Sequence, residues 1–197
     1  MIKFVTKLFL PQNILWVIII FILIIGKFGL GLDYISAIDI IKNHYKCFRN
    51  NKGKLLIAPI IIYSLIPFLM GYATAIIKVI DTDTINLITV IISILAAMLF
   101  TLLAMIIDMK GKLKNNADYF STEAKISKKA LVETYYTVMF EILICIILLV
   151  LCFFSCFTQD FDMIRSLAIY SLTYLLIFNL LMIIKRIFRV IDAEMKK

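Results

Sequence analysis

Charge is scarce in this chain of 197 residues: 17% are charged, where a soluble domain carries about a quarter. Glycine (6) and proline (3) are sparse, and no Gly-rich phosphate loop can be found. Histidine occurs once, at His44, with no triad partner in motif context, and neither HExxH nor CxxC is present. These absences argue against an enzyme and against any bound cofactor or metal. Of the four cysteines, Cys47 lies in a basic polar segment with only His44 near it, and two residues do not make a zinc site. Cys145, Cys152 and Cys156 share one helical face, so they cannot easily bridge one another. Period-two alternation is also missing, which excludes an outer-membrane barrel.

What fills the chain instead is hydrocarbon: 63% of residues are hydrophobic and the mean hydropathy is +1.02. A soluble domain stays near about 45–50% apolar. Five runs reach the roughly 20 residues that a helix needs to cross a bilayer core, at about 13–32, 55–77, 85–107, 136–157 and 163–184. Backbone amides in lipid must be satisfied within the segment, so the runs are read as helices. The expected fold class is an all-α integral membrane protein, a single bundle of five transmembrane helices with short cytoplasmic helical extensions. The first run follows Lys3 and Lys7 and has Gly29-Leu30-Gly31 at its far end, a loose likeness to a signal peptide. Its length favours a retained span; a four-span bundle with this segment lying differently is the alternative.

The net charge of +8 is concentrated beside the apolar runs, which suits anionic headgroups and topology rather than nucleic acid. Segment 33–54 carries Lys42, Lys46, Arg49, Lys52 and Lys54; segment 108–135 and the tail from Lys185 are similarly basic. Segments 78–84 and 158–165 are short and hold Asp81, Asp83, Asp160 and Asp162. The positive-inside rule then puts the three basic segments and the C-terminus in the cytoplasm. Lysine outnumbers arginine 17 to 4 and isoleucine abounds, a composition that points to an AT-rich, bacterial source and hence to the inner membrane.

Outside the spans, 33–50 is expected to be an amphipathic helix with Tyr34, Ile38, Ile41, Tyr45 and Phe48 as its apolar stripe. It would lie in the headgroup plane or dock on a neighbour. Residues 121–135 are expected to continue into the fourth span, since no glycine or proline interrupts 122–157, making a rod of roughly 50 Å that projects from the bilayer.

Three sets of residues stand out as candidates for function. In the third span Asn86, Thr89, Ser93, Ala97, Thr101, Ala104 and Asp108 fall within an arc of about 120°, a face suited to close helix packing or to lining a polar path. Asp108 is expected at the end of that helix, where the dipole disfavours a carboxylate and something must offset it. In the fourth span Glu133 and Glu141 share a face; an intramembrane carboxylate such as Glu141 would reach back to water, pair with a lysine such as Lys27, or face a wet cavity. In the second span Pro59, Pro67 and Gly71 could form a hinge.

The order of a Lys-rich loop, a Ser/Ala-striped span ending in Asp108 and a long helix carrying Glu133-Thr134-Tyr135 resembles small multi-span membrane effectors and accessory proteins of bacterial anti-phage defence loci. The resemblance covers residues 50–157. It implies a homo-oligomer in the bilayer that perturbs ion balance when a cytosolic protein partner triggers it. Two other functions fit the same features: an anchor that recruits a cytosolic protein, and an immunity protein that binds a toxin in the membrane.

Overall fold

The computed structural model describes residues 37–49, 54–114, 122–157 and 162–195. The expected first span, and Lys27 with it, lie outside the described residues. Contacts divide the chain into two units, 1–39 and 40–197. Of the first, only 37–39 are described, at the start of a helix.

The described residues form five α-helices: α1 (Ile38–Lys46), α2 (Ile57–Ile77), α3 (Thr82–Lys114), α4 (Thr122–Cys156) and α5 (Met163–Met195). Four of them, α2 to α5, are long and apolar enough to cross a membrane. Isoleucine and phenylalanine lean towards strands in water, but unbroken runs of this length satisfy every amide only as helix. The unbroken α4 begins at Thr122, so residues 122–135 are indeed its first turns. α3 and α5 also outrun their apolar cores, to Lys114 and Met195. Each of the three is about 50 Å long at about 1.5 Å per residue, against a hydrocarbon core of about 30 Å.

The packing order is α2–α5–α4–α3. The two outer helices are consecutive in sequence, and half of the most apolar window of the central α4 is buried against 17% in each of them. On α4, Thr134, Val138, Glu141, Cys145, Leu148, Cys152 and Ser155 are all buried and step by alternating fours and threes. That 3.5-residue period keeps one seam against its neighbours, as in a left-handed coiled coil. α3 meets it with Ile85, Ile88, Ile92, Leu99 and Ile106.

α2 meets α5 in another way. Pro67, Gly71 and Ala75, three small or compact residues four apart, are buried on that helix. A methyl group added at Gly71 would come within 2.6 Å of the Ser171 backbone on α5. The absence of a side chain there is what lets the two backbones touch. Pro67 does not interrupt α2, and Pro59 stands in its first turn, where a missing N–H removes no intrahelical bond. The candidate hinge residues Pro67 and Gly71 are thus part of a helix contact.

The turn at 78–81 is tied at both ends. Asp81 caps α3, its Oδ1 accepting the Thr84 N–H at 2.9 Å. Lys78 Nζ lies 2.8 Å from the same carboxyl, and this ammonium, with Thr84, holds the Asp81 pKa well below the usual carboxylate range. The Ile80 N–H donates to Ser166 Oγ at 3.0 Å, joining the turn to the start of α5. The 78–81 turn and the start of α5 therefore sit together at one end of the bundle. α1, which touches α4 at Phe140, and Cys47 just after it, which meets the Glu133 carbonyl, sit towards the other.

The Gly71 contact predicts an asymmetry between two glycines. Gly71→Ala should lower stability in detergent by about 1–3 kcal/mol, the range for overpacking. Gly111→Ala, with nothing within 4 Å of the new methyl, should leave it unchanged or gain up to about 1 kcal/mol of helix propensity. Thermal unfolding of the two purified variants measures both.

Candidate functional site

Polar side chains inside the bundle collect where α1, α2, α4 and α5 meet. His44 anchors α1 there. Its ring stacks on Phe140 of α4 with centroids 4.0 Å apart and planes 8° from parallel, and only 3% of the residue is exposed. Phe48 is buried beside it, while Ile41 and Tyr45 face outwards. The apolar stripe expected on this helix is therefore not the face it buries. Hydropathy counts histidine as polar, yet a neutral imidazole stacks on a phenyl ring and hides most of its surface.

Below His44, Arg186 of α5 is 7% exposed. It donates from Nη1 to the Glu133 carbonyl at 2.8 Å and to Thr137 Oγ1, and its Nε lies 3.9 Å from Glu133 Oε2. A buried guanidinium is costly unless its fork is filled, and here α4 fills it with backbone, hydroxyl and carboxylate. Cys47 Sγ sits over the same turn, 3.3 Å from the Asn43 carbonyl and 3.9 Å from that of Glu133. Burial first, and the Glu133 charge, push its thiol pKa up against the opposing pull of Arg186. This is a structural thiol.

Two turns deeper, Glu141 is fully buried, and neither carboxyl oxygen has a hydrogen-bond partner among the described residues. It does not reach back to water. The group facing it is Asn179 of α5, whose carboxamide approaches the carboxyl without completing a well-formed hydrogen bond. Asn179, Ser171, His44 and Phe140 line a cleft of about 220 Å³ closed on its far side by Tyr63, Pro67 and Phe68 of α2.

The candidate face of α3 is located elsewhere. Asn86, Ser93, Ala97, Thr101, Ala104 and Asp108 are exposed and Thr89 is half-buried, on the side nearly opposite the buried isoleucines. Thr89, Ser93 and Thr101 each donate to the carbonyl four residues back, at 2.7, 2.8 and 3.1 Å. Their protons are satisfied without a neighbour. Asp108 does not end the helix, which continues to Lys114; instead Lys112, one turn on, puts its Nζ 2.7 Å from the carboxylate. The dipole argument loses its premise, and the local ammonium supplies the offset.

Sequence reasoning found Glu133 and Glu141 but missed His44, Asn179, Ser171 and Arg186. Asn179 and Arg186 lie seven apart on α5, and that spacing of two polar groups on one face of an apolar helix was the available signal. Among the described residues no cluster of His, Cys, Asp and Glu could hold a metal.

Taken together, four long apolar helices enclosing polar side chains describe a multi-pass helical membrane protein. No protein-family model, curated protein or solved structure matches the chain.

Two outcomes are expected. Burial first, and the Arg186 charge, lower the His44 pKa from 6.5 to about 3; Glu133, across α4, is the carboxylate nearest that guanidinium. Between those values the undocked helix binds the extra proton, so docking of α1 is complete above about pH 6.5 and weakens as pH falls towards 3. Hydrogen exchange of residues 40–49, corrected for its intrinsic rate, should speed up by about tenfold or more from pH 7 to pH 4.5, and His44→Phe should flatten that change. Glu141→Leu should raise stability by about 1–3 kcal/mol, because it removes a buried carboxyl to which Asn179 makes no well-formed hydrogen bond. A loss of stability, repaired by Lys27→Leu, would instead establish a Glu141–Lys27 pair.

Proposed function

We propose that the chain is an oligomeric, channel-like subunit of a bacterial inner membrane, with its lysine-bearing end in the cytoplasm. The observation that carries this reading is the outward small-residue face of α3. Ile85, Ile88, Ile92, Leu99 and Ile106 face α4, and the side turned away presents Asn86, Ser93, Ala97, Thr101 and Ala104 as a strip among exposed Ile, Leu, Met and Phe side chains. Lipid gains nothing from small and polar groups, whereas a second helix gains close backbone approach and hydroxyl contacts. Copies joined through this face would bring a column of hydroxyls together along the bilayer normal, with Asp108 and Lys112 at its cytoplasmic mouth. The ends of α3, α4 and α5 beyond the hydrocarbon are where a cytosolic partner would act, and loss of ion balance on triggering would suit a role in anti-phage defence.

The test is the chain reconstituted in vesicles. Ser93→Cys and Thr101→Cys should cross-link between protomers, and Ser93→Leu with Thr101→Leu should reduce ion flux at least about tenfold and shift the assembly to monomer. Met98→Ala, exposed on α3 but about 120° around the helix from the middle of the stripe, should do neither. A wild-type chain that stays monomeric and conducts nothing would defeat the proposal.

A second reading is favoured by α1, which is docked through His44 while Ile41 and Tyr45 remain outside. In that reading the protein is a dry membrane anchor, and deleting 33–50 abolishes recruitment of a cytosolic protein while insertion persists.

A further inference from the structure

We propose that the cleft between α1, α2 and α5 binds a small, flat, uncharged aromatic molecule bearing an oxygen function, of phenol or quinone type, taken up from the bilayer. This inference is independent of how copies of the chain assemble.

Three features of the cleft converge. The first is its polar atoms. Nδ1 of His44, Oγ of Ser171 and both carboxamide atoms of Asn179 are buried, and none completes a well-formed hydrogen bond among the described residues, Asn179 only facing the Glu141 carboxyl. Asn179 and His44 are only 1% and 3% exposed. Buried polar groups in folded chains are nearly always paired, so several orphans converging on one cavity mark a site whose partner comes from outside the chain. A carboxamide offers a donor and an acceptor side by side, which a hydroxyl or carbonyl oxygen on a ligand can use.

The second is the wall. Tyr63, Phe68, Phe48 and Phe140 surround the space, and the parallel stack of His44 on Phe140 shows that this corner accepts ring faces. Aromatic walls hold flat rings by stacking and edge contacts. At about 220 Å³ the cavity is smaller than the roughly 300 Å³ at which drug-sized sites begin, so it suits one ring or two fused rings rather than a lipid chain with its headgroup.

The third is charge. No aspartate, glutamate, lysine or arginine lines the cleft. Arg186 is engaged by Glu133 and Thr137, and the Glu141 carboxyl sits behind Asn179. His44, shielded by burial, is neutral at pH 7. An ionic ligand would enter without a counter-charge, whereas a neutral one fits.

The experiment uses the full chain in lipid nanodiscs with 2-naphthol as probe and empty nanodiscs as the partition blank. Saturable binding of one probe per chain is expected, and 4-hydroxybenzophenone, photoactivated in the same sample, should label peptides covering 61–70 and 171–180. Asn179→Leu should weaken 2-naphthol binding at least about tenfold while thermal stability is kept or raised, since an unpaired carboxamide has been replaced by an apolar side chain of similar size. Should that variant fail to fold, Ser171→Ala, expected to weaken binding several-fold, and Phe68→Ala serve in its place. 2-Naphthalenesulfonate and tetraethylammonium should not compete. The proposal is overturned by an absence of saturable binding, as when ordered water or the chain's own residues fill the cleft. Equal competition by either ion, or binding indifferent to Asn179, Ser171 and Phe68, would overturn it as well.

Discussion

Two-sided burial of one helix holds this fold together. Helices in lipid have no hydrophobic drive to associate, because the tails are as apolar as leucine, so the bundle depends on steric fit. α4 supplies that fit with a seam from Thr134 to Ser155 at a 3.5-residue period, with α3 on one flank and α5 on the other. α2 is attached through α5, and the anchoring ring of α1 rests on Phe140 of α4. A shift of α4 by one residue would move Glu141 and Thr137 away from Asn179 and Arg186 and separate every other element from its contacts.

The two long outer contacts use opposite chemistry. α3 attaches through large aliphatic side chains and so leaves its small, polar face free. α2 attaches through Pro67, Gly71 and Ala75 and so turns other large side chains, Leu65, Leu69 and Tyr72 among them, outwards. Both edges of the protein present bulky apolar surface suited to lipid, and on the α3 edge that surface is interrupted by a strip of small and polar residues suited to another helix. That difference is why the α3 face, rather than α2, carries the proposed assembly.

Polar groups in the interior divide in the same unequal way. Around Arg186, Nη1 donates to the Glu133 carbonyl and to Thr137 with the Glu133 carboxylate beside it, and the knot fastens α5 to α4 near the basic end. Around Asn179 and Glu141 the opposite holds: carboxamide, carboxyl, the Ser171 hydroxyl and the His44 ring nitrogen meet with no bonds completed. A bundle built only for stability would have aliphatic side chains at these positions, as it has at Val138 one turn before Glu141 and at Leu148 two turns after it. Unsatisfied polarity beside an aromatic cleft is the feature that separates this interior from a purely structural one.

How far the sequence alone could carry these conclusions depended on whether a property was local. Helix type and the approximate position of the four described spans followed from run length, because hydrocarbon leaves the backbone one solution at that length. The continuity of α4 followed from a stretch without glycine or proline. Periodicity also placed Asn86 to Asp108 on one face, but could not say which way that face turns: both faces of α3 are compatible with lipid, and only the shape of α4 selects the isoleucines. The same limit applied to α1, where hydropathy chose the stripe of Ile41 and Tyr45 and the structure buried His44, since a stacking partner ninety-six residues away has no trace in local pattern. Length, polarity and period are properties of a segment; which residues meet across segments is decided by the fit of side-chain volumes in three dimensions.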